Sequence, residues 1–317
     1  MTAVHTAQTV GPDSPARRRG HLRKLGRSDW ITLGLMVAIP TLLEAILIWA
    51  PALASIGMSF GRWNGIGSPT NIRSAGWANY EYVFTNYPPF WPAVWHNVIW
   101  LAFLALIATP LGVLLAVLLD RKLVGTRIYQ SIFFLPVMLS LALIGIIWEL
   151  QYSSDTGLID SVLGIAGTPR SIDFLGNSNI NLWAALVAQT WRHAGYVMIL
   201  YLAGLKGVDP TLKEAAALDG ANGWQTFAHV IFPVMRPINT VVVVITIIEA
   251  LRAFDLVYII NKGTNGLELL SALVMQNLQG EGQDLGVGSA IATVLLVISL
   301  IPIVIYLSRT FRKDDAR

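Results

Sequence analysis

The amino-acid sequence predicts an all-α membrane protein with six transmembrane helices and both termini in the cytoplasm. Three observations carry that reading. Of 317 residues, 54% are hydrophobic and only 13% charged, against about 25% charged in an ordinary soluble domain. Six apolar stretches have the ~20 residues that a helix needs to cross a bilayer, and they lack the short alternating segments of a barrel. The 22 Lys and Arg are unevenly shared between the loops that join them.

The first stretch runs about Ile31 to Phe60 and contains Pro40 and Pro51; the second, about Val94 to Leu119, contains Pro110. The third covers about Ile128 to Trp148 around Pro136, followed by Leu182 to Leu205, Ile238 to Ile260 and Leu285 to Leu307. With the N-terminus inside, segments 1–29, 120–127, 206–236 and 308–317 hold 16 basic residues, against four outside (Arg62, Arg73, Arg170 and Lys262). Lys and Arg near short loops stay cytoplasmic, which fixes the orientation. The basic excess, including Arg17-Arg18-Arg19, therefore reads as topology and contact with anionic lipid, not as a nucleic-acid surface. A cleaved signal peptide ending near Ala52-Leu53-Ala54 is disfavoured, because the apolar run is too long, carries Glu44, and its loss would leave an odd number of spans.

Catalytic signals are missing. There is no cysteine and no phosphate-binding loop of the G-x-x-x-x-G-K-[ST] type, and His5, His21, His96, His193 and His229 lack metal-ligand spacing. The chain reads as a conduit, not an enzyme, with no cofactor of its own. The expected boundaries are a basic tail at 1–29, a membrane body at 30–310 and a short tail at 311–317.

The cytoplasmic segment 206–236 is unusual for a loop. Asp209-Pro210 is a helix start, and the Ala-rich run through Glu214, Ala215 and Ala216 has high helix propensity. Gly220 and Gly223 allow a sharp turn into a second short helix that sets Trp224 and Phe227 on one face and ends at Pro233. Two short helices at an angle offer a knob with an apolar face and an acidic tip.

Glu214-Ala215-Ala216, Gly220 and Val230-x-Phe232-Pro233 resemble the EAA loop, E-A-A-x3-G-x9-I-x-L-P, of binding-protein-dependent ABC import permeases. Val for Ile and Phe for Leu are mild departures. Trp191 and Gly195, Leu202-Ala203-Gly204-Leu205, Asp219-Gly220-Ala221, Phe254-Asp255, and Phe133-Phe134-Leu135-Pro136 with Gly145-x-x-Trp148 extend the likeness to about residues 30–310. The pattern is similar to the carbohydrate-uptake branch, the maltose and glycerol-phosphate permeases. The resemblance implies the type I ABC importer architecture in a bacterial inner membrane. It implies a second permease, two ATPase subunits that bind ATP and Mg, an extracytoplasmic solute-binding protein, and a sugar as cargo. Glu214, Ala215, Ala216, Asp219, Gly220, Ala221, Trp224, Phe227 and Pro233 would then form the ATPase-docking surface.

Charges inside the membrane are costly and need a reason. Glu249, Arg252 and Asp255 are spaced three apart in the fifth stretch, so the Arg is expected to reach a carboxylate on either side; Arg192 is expected to pair with Glu44 or Glu249. On one reading these charges only neutralise one another. On the other, which the resemblance favours, Trp191, Arg192, Tyr196, Thr246, Glu249, Ala250 and Ala253 line a sugar path, the alanines leaving room for the ligand. An ion-coupled carrier or channel using Glu249, Arg252 and Asp255 is the alternative from another class, with no place for the EAA loop. Outside, segments 61–93, 149–181 and 261–284 are expected as loops, with a short helix near Gly157 to Leu163. Asn261-Lys262-Gly263-Thr264-Asn265-Gly266 stands where the resembled family has Thr-x-Gly-Gly-Pro.

Overall fold

A computed structural model describes residues 26–68, 72–121, 124–279 and 283–314. The basic residues from Arg17 to Lys24, together with Lys122 and Arg317, lie outside them. The chain forms two units, one ending at Ala52 and one beginning at Leu53.

In the first unit, α1 (Arg27–Glu44) starts where Asp29 accepts the Gly26 N–H at 2.9 Å. A π turn at Ala45–Trp49 then leads into α2 (Ala50–Met58). Proline in a helix lacks one N–H, and a π turn beside it absorbs the mismatch. The surface is apolar all round, with Trp30, Met36 and Leu47 each about two-thirds exposed (66%, 68% and 67%). A helix with that surface belongs in lipid or against a partner.

The second unit takes in the end of α2 and then a two-residue antiparallel pair, β1 (Gly61–Arg62) on β2 (Arg73–Ser74), and α3 (Ala78–Glu81). Buried Asn79 donates to the Ser59 and Gly61 carbonyls, both at 2.8 Å. Next come α4 (Phe90–Phe103), a π turn before Pro110, and α5 (Thr109–Leu119). Gly112 of α5 lets it press on the long helix α9 (Asn181–Gly207); a methyl group there would stand 2.6 Å from Val197 Cβ. Small residues at such crossings let backbones approach, which is how helices associate where no hydrophobic force drives them.

The third stretch is a correction. It is not one crossing helix but α6 (Thr126–Phe134), a tight turn at Leu135–Met138 and α7 (Leu141–Gln151), bent by 103°. Pro136 ends the first helix, and Ser140 Oγ caps the second by accepting the Leu143 N–H at 3.2 Å. The short helix expected near Gly157 is α8 (Leu158–Val162). Beyond α9 come α10 (Pro210–Leu218), α11 (Gly223–Thr226) and α12 (Phe232–Val234). The fifth stretch is α13 (Arg236–Leu251) and α14 (Asp255–Asn261), interrupted at Arg252–Phe254.

Segment 261–284 is a second correction. It holds α15 (Leu270–Gln279), which buries Leu270 and Leu273 against α4 and the last helix, α16 (Leu285–Asp314), and Ala272 in the cluster around Trp100. Before it, Lys262, Gly263, Asn265 and Gly266 all take positive φ, and Asn261 Nδ2 donates to the Thr264 carbonyl at 2.7 Å, giving that loop its own turn. Three apolar clusters hold the unit: one around Trp100, Leu186 and Val257, one joining α5 and α9 to Ile231 and Met235, and one around Phe90 and Ile291.

Among the described residues three helices, Ser28–Met58, Phe90–Leu119 and Leu285–Tyr306, are long and apolar enough to cross a membrane, and up to five segments qualify if each bent pair is one span. The 27-residue α9 has the length, about 40 Å. Its Gln189, Arg192 and His193 lower its apolar character.

Candidate functional site

The 206–236 segment is anchored on one side and bare on the other. Asp209 Oδ1 accepts the Thr211 N–H at 2.9 Å, and that hydrogen bond holds the Asp209 carboxyl below the usual carboxylate range. α10 ends in a Schellman turn: Gly220 at φ +78, with Ala221 N–H on the Ala216 carbonyl at 3.0 Å and Gly220 N–H on that of Ala217 at 3.1 Å. Asn222 and Gln225 then cap α11 reciprocally, each backbone N–H bonded to the other side chain at 2.9 Å. Phe227 lies between Trp224 and Phe232, its ring tilted to both, at centroid distances of 6.1 and 6.0 Å.

Ile231 and Met235 are buried against α5 and α9, Ala216 is buried as well, and Lys213 Nζ meets Asp120 Oδ2 at 3.3 Å beyond the end of α5. Glu214, Ala215, Asp219 and Pro233 stay exposed, Leu218 is 90% exposed and Trp224 74%. Sequence reasoning found this knob but not Leu218, whose exposure follows from its place one turn after Glu214.

The charges of the fourth and fifth stretches form a network that contains the expected Arg192–Glu249 pair and adds a histidine. Glu249 Oε1 accepts from Arg192 Nη1 at 2.9 Å, and Glu249 Oε2 meets His193 Nδ1 at 2.8 Å. The other ring nitrogen, His193 Nε2, faces Thr109 Oγ1 at 3.1 Å and Thr246 Oγ1 at 3.3 Å. Thr246 spends its hydroxyl proton on the Val242 carbonyl at 2.8 Å. Both ring nitrogens of His193 therefore have a polar partner, the carboxylate on one side and the Thr109 hydroxyl on the other. Three helices, α5, α9 and α13, thus meet at a fully buried histidine.

Several expectations fall here. Arg252 and Asp255 are exposed and make no ion pair among the described residues, because the interruption at Arg252–Phe254 removes the helical register that would align them with Glu249. Of the two partners expected for Arg192, the structure has Glu249, while Glu44 lies exposed on α1. The row of charges on which an ion-coupled carrier would rest is not assembled. Thr246 and Ala250 are buried, and Ala253 packs on the same core as Ala250. Tyr196 is half-buried on α9. Trp191 is 36% exposed and meets Trp148 edge-on at 6.0 Å. His193 and Thr109 were missed; the signal was a histidine beside an arginine on one helix and a carboxylate on the next.

The model of a family described as "Binding-protein-dependent transport system inner membrane component" matches residues 108–313. This chain belongs to that family. It is 30% identical to the arabinooligosaccharides transport system permease protein AraP of Bacillus subtilis, over 95% of each chain. It is 28% identical to the xylose/arabinose import permease protein XacH of Haloferax volcanii, over 88% of each. The osmoprotective compounds uptake permease protein GgtC of Synechocystis is 30% identical over 88% of this chain and 99% of its own. In fold, the chain resembles a crystallised bacterial ABC transporter that imports the acidic polysaccharide alginate: TM-score 0.76 at 21% identity, covering 90% of this chain and 96% of that one. The permease of a binding-protein-dependent ABC transporter is thus the frame in which both regions are to be read.

Proposed function

We propose that this chain is one of two transmembrane subunits of an ATP-driven carbohydrate importer in a bacterial cell membrane. It spans the bilayer six times with both termini cytoplasmic, in the type I arrangement. Its body is 30–310, the tails are 1–29 and 311–317, and 206–236 is the coupling segment. Two ATPase subunits, which bind ATP and Mg, dock on this segment and on its counterpart in a second permease, while a solute-binding protein delivers sugar outside. The arabinooligosaccharide and xylose/arabinose permeases among the relatives support a carbohydrate cargo.

One observation carries the docking role: a knob fixed to the body through Ile231, Met235 and Lys213 still leaves Glu214, Leu218 and Trp224 bare. Exposed large apolar groups beside a carboxylate are costly unless a partner covers them. Ala215, Asp219, Ala221, Phe227 and Pro233 set the shape of that surface. Closure of the ATPases on ATP moves the paired knobs, and the permeases rock between inward-open and outward-open cavities. The driving energy is the difference in ATP affinity between the two states, so the chain must be stiff between knob and cavity. The apolar cluster shared by α5, α9 and the knob, and the His193 junction above it, supply that stiffness.

Uptake of a labelled sugar by the assembled transporter tests the reading. It should stop with vanadate and persist when the proton gradient is collapsed; the reverse pattern rejects it. Glu214→Lys should insert and accumulate normally yet abolish ATPase association and transport. Full transport with unchanged association would sink the docking role.

A further inference from the structure

The coupling segment holds to the body in two different ways. Its flanks are apolar: Val208 before α10, and Ile231 and Met235 after α11, are buried in the cluster that also takes in Ala116 and Leu119 of α5 and part of α9. α10 itself, the helix that carries Glu214 and Leu218, puts no residue into that cluster. Its polar tie to the body is Lys213, whose Nζ lies 3.3 Å from Asp120 Oδ2.

Both residues stand at the wrong ends of their helices. Asp120 caps the C-terminus of α5, where a negative charge meets the last carbonyls. Lys213 sits near the start of α10, just after Pro210, where a positive charge meets the first amides. The helix dipoles disfavour each placement taken alone. Together the two charges offset one another, so the contact accounts for a pair of residues that neither helix explains by itself.

The shape of α5 suits it to carry a displacement. From Asp120 it runs back through the 11 residues Thr109–Leu119 without interruption, about 17 Å. Gly112 seats it closely on α9 on the way. At the far end Thr109 Oγ1 lies 3.1 Å from His193 Nε2 in the buried junction, and the π turn Leu104–Ala108 marks where the regular helix stops. Such turns interrupt a helix locally and often stand at working sites. Coupling between distant points travels through rigid, packed elements of this kind.

We propose that Lys213 and Asp120 are a positioning pair that ties α10 to α5, so that movement of the docked segment is passed along α5 to the Thr109–His193 contact. This role rests on the docking reading above and adds to it a second line, beside the covalent one that enters α9 through Val208. The two side chains are 38% and 25% exposed, and an ion pair so placed adds little to folding, so its variants should still assemble.

The test uses the whole transporter, with its partner permease, ATPases and binding protein, in lipid nanodiscs. Amide exchange of residues 104–113 is compared without nucleotide and after trapping with ATP and vanadate, a probe that needs no knowledge of the cargo. Trapping should change that exchange about fivefold in the wild type. Asp120→Asn and Lys213→Met, each with normal ATPase association, should lose most of the difference. The double change Asp120→Lys with Lys213→Asp, whose charges suit both helix ends, should restore it where either reversal alone does not. No nucleotide effect on 104–113 in the wild type, or an undiminished one in Asp120→Asn, overturns the role of α5. A double change that only adds the two single defects overturns the pairing. ATPase loss in Lys213→Met but not in Asp120→Asn assigns Lys213 to the docking surface and overturns the pairing as well. Failure of the wild-type chain to bind the ATPases at all overturns the docking reading itself.

Discussion

Two carboxylates in this chain are handled in opposite ways. Glu249 has both oxygens engaged, by Arg192 and by a fully buried His193, whereas Glu214 stands exposed at the knob. A charge taken out of water must be paired where it sits, so Glu249 is committed to its own helices. A charge left in water costs nothing until a partner arrives, so Glu214 remains available for binding. The contrast separates a residue that makes the permease stiff from one that lets something push on it.

The comparison breaks most sharply at Glu249. Glu249→Ala strands Arg192 and His193 together, and removal of one partner from a buried charged pair costs about 3–5 kcal/mol. We expect a large fall in the recovered complex and in its unfolding temperature, with Glu249→Gln, which keeps a hydrogen-bonding oxygen, falling less. Arg192→Met with Glu249→Gln should be less harmful than the sum of the single changes, a coupling that a double-mutant cycle measures. Additive effects would show that the pair is not a unit.

Between these extremes is Gly220, whose φ of +78 closes the turn that presents Glu214. Gly220→Ala should cost about 1–2 kcal/mol locally. Gly220→Asn, which tolerates the left-handed region, should cost less. Hydrogen exchange across α10 and α11 reads the local loss, and ATPase association should fall in the same order. An Ala variant that docks as well as the wild type would mean that the angle between the two helices is unimportant.

The knob was legible because its geometry is local. Asp209-Pro210, Gly220 and the Asn222/Gln225 pair act within a few residues of themselves, so a one-dimensional reading finds the caps and the turn. The Glu249 network was only half legible. That Arg192 needed a carboxylate follows from desolvation alone, but choosing between Glu44 and Glu249 requires knowing which helices touch. The charge row failed for a related reason: a register of three assumes an unbroken helix, and the break at Arg252–Phe254 has no proline or glycine to announce it. α15 was hidden by its length, since ten residues are too few to span a membrane and its apolar face has meaning only against α4 and α16.

The finest test of the comparison uses Asp209, a third carboxylate, exposed like Glu214 but employed like Glu249. Its Oδ1 accepts the Thr211 N–H at 2.9 Å, and that hydrogen bond lowers its pKa from the ordinary 3.8. A depressed carboxylate contributes stability above its unfolded pKa, and the contribution fades as pH falls through the lower folded value. Between about pH 7 and 5 the start of α10 should therefore be indifferent to pH, and below about pH 4 it should loosen as the carboxylate takes up a proton. Asp209→Asn keeps an acceptor for the Thr211 amide without a titrating group. Amide exchange at Thr211 and Leu212, corrected for intrinsic rates, should accelerate on acidification in the wild type and stay level in the variant. Equal acceleration in both would place the acid sensitivity elsewhere and leave Asp209 as a cap whose charge is immaterial.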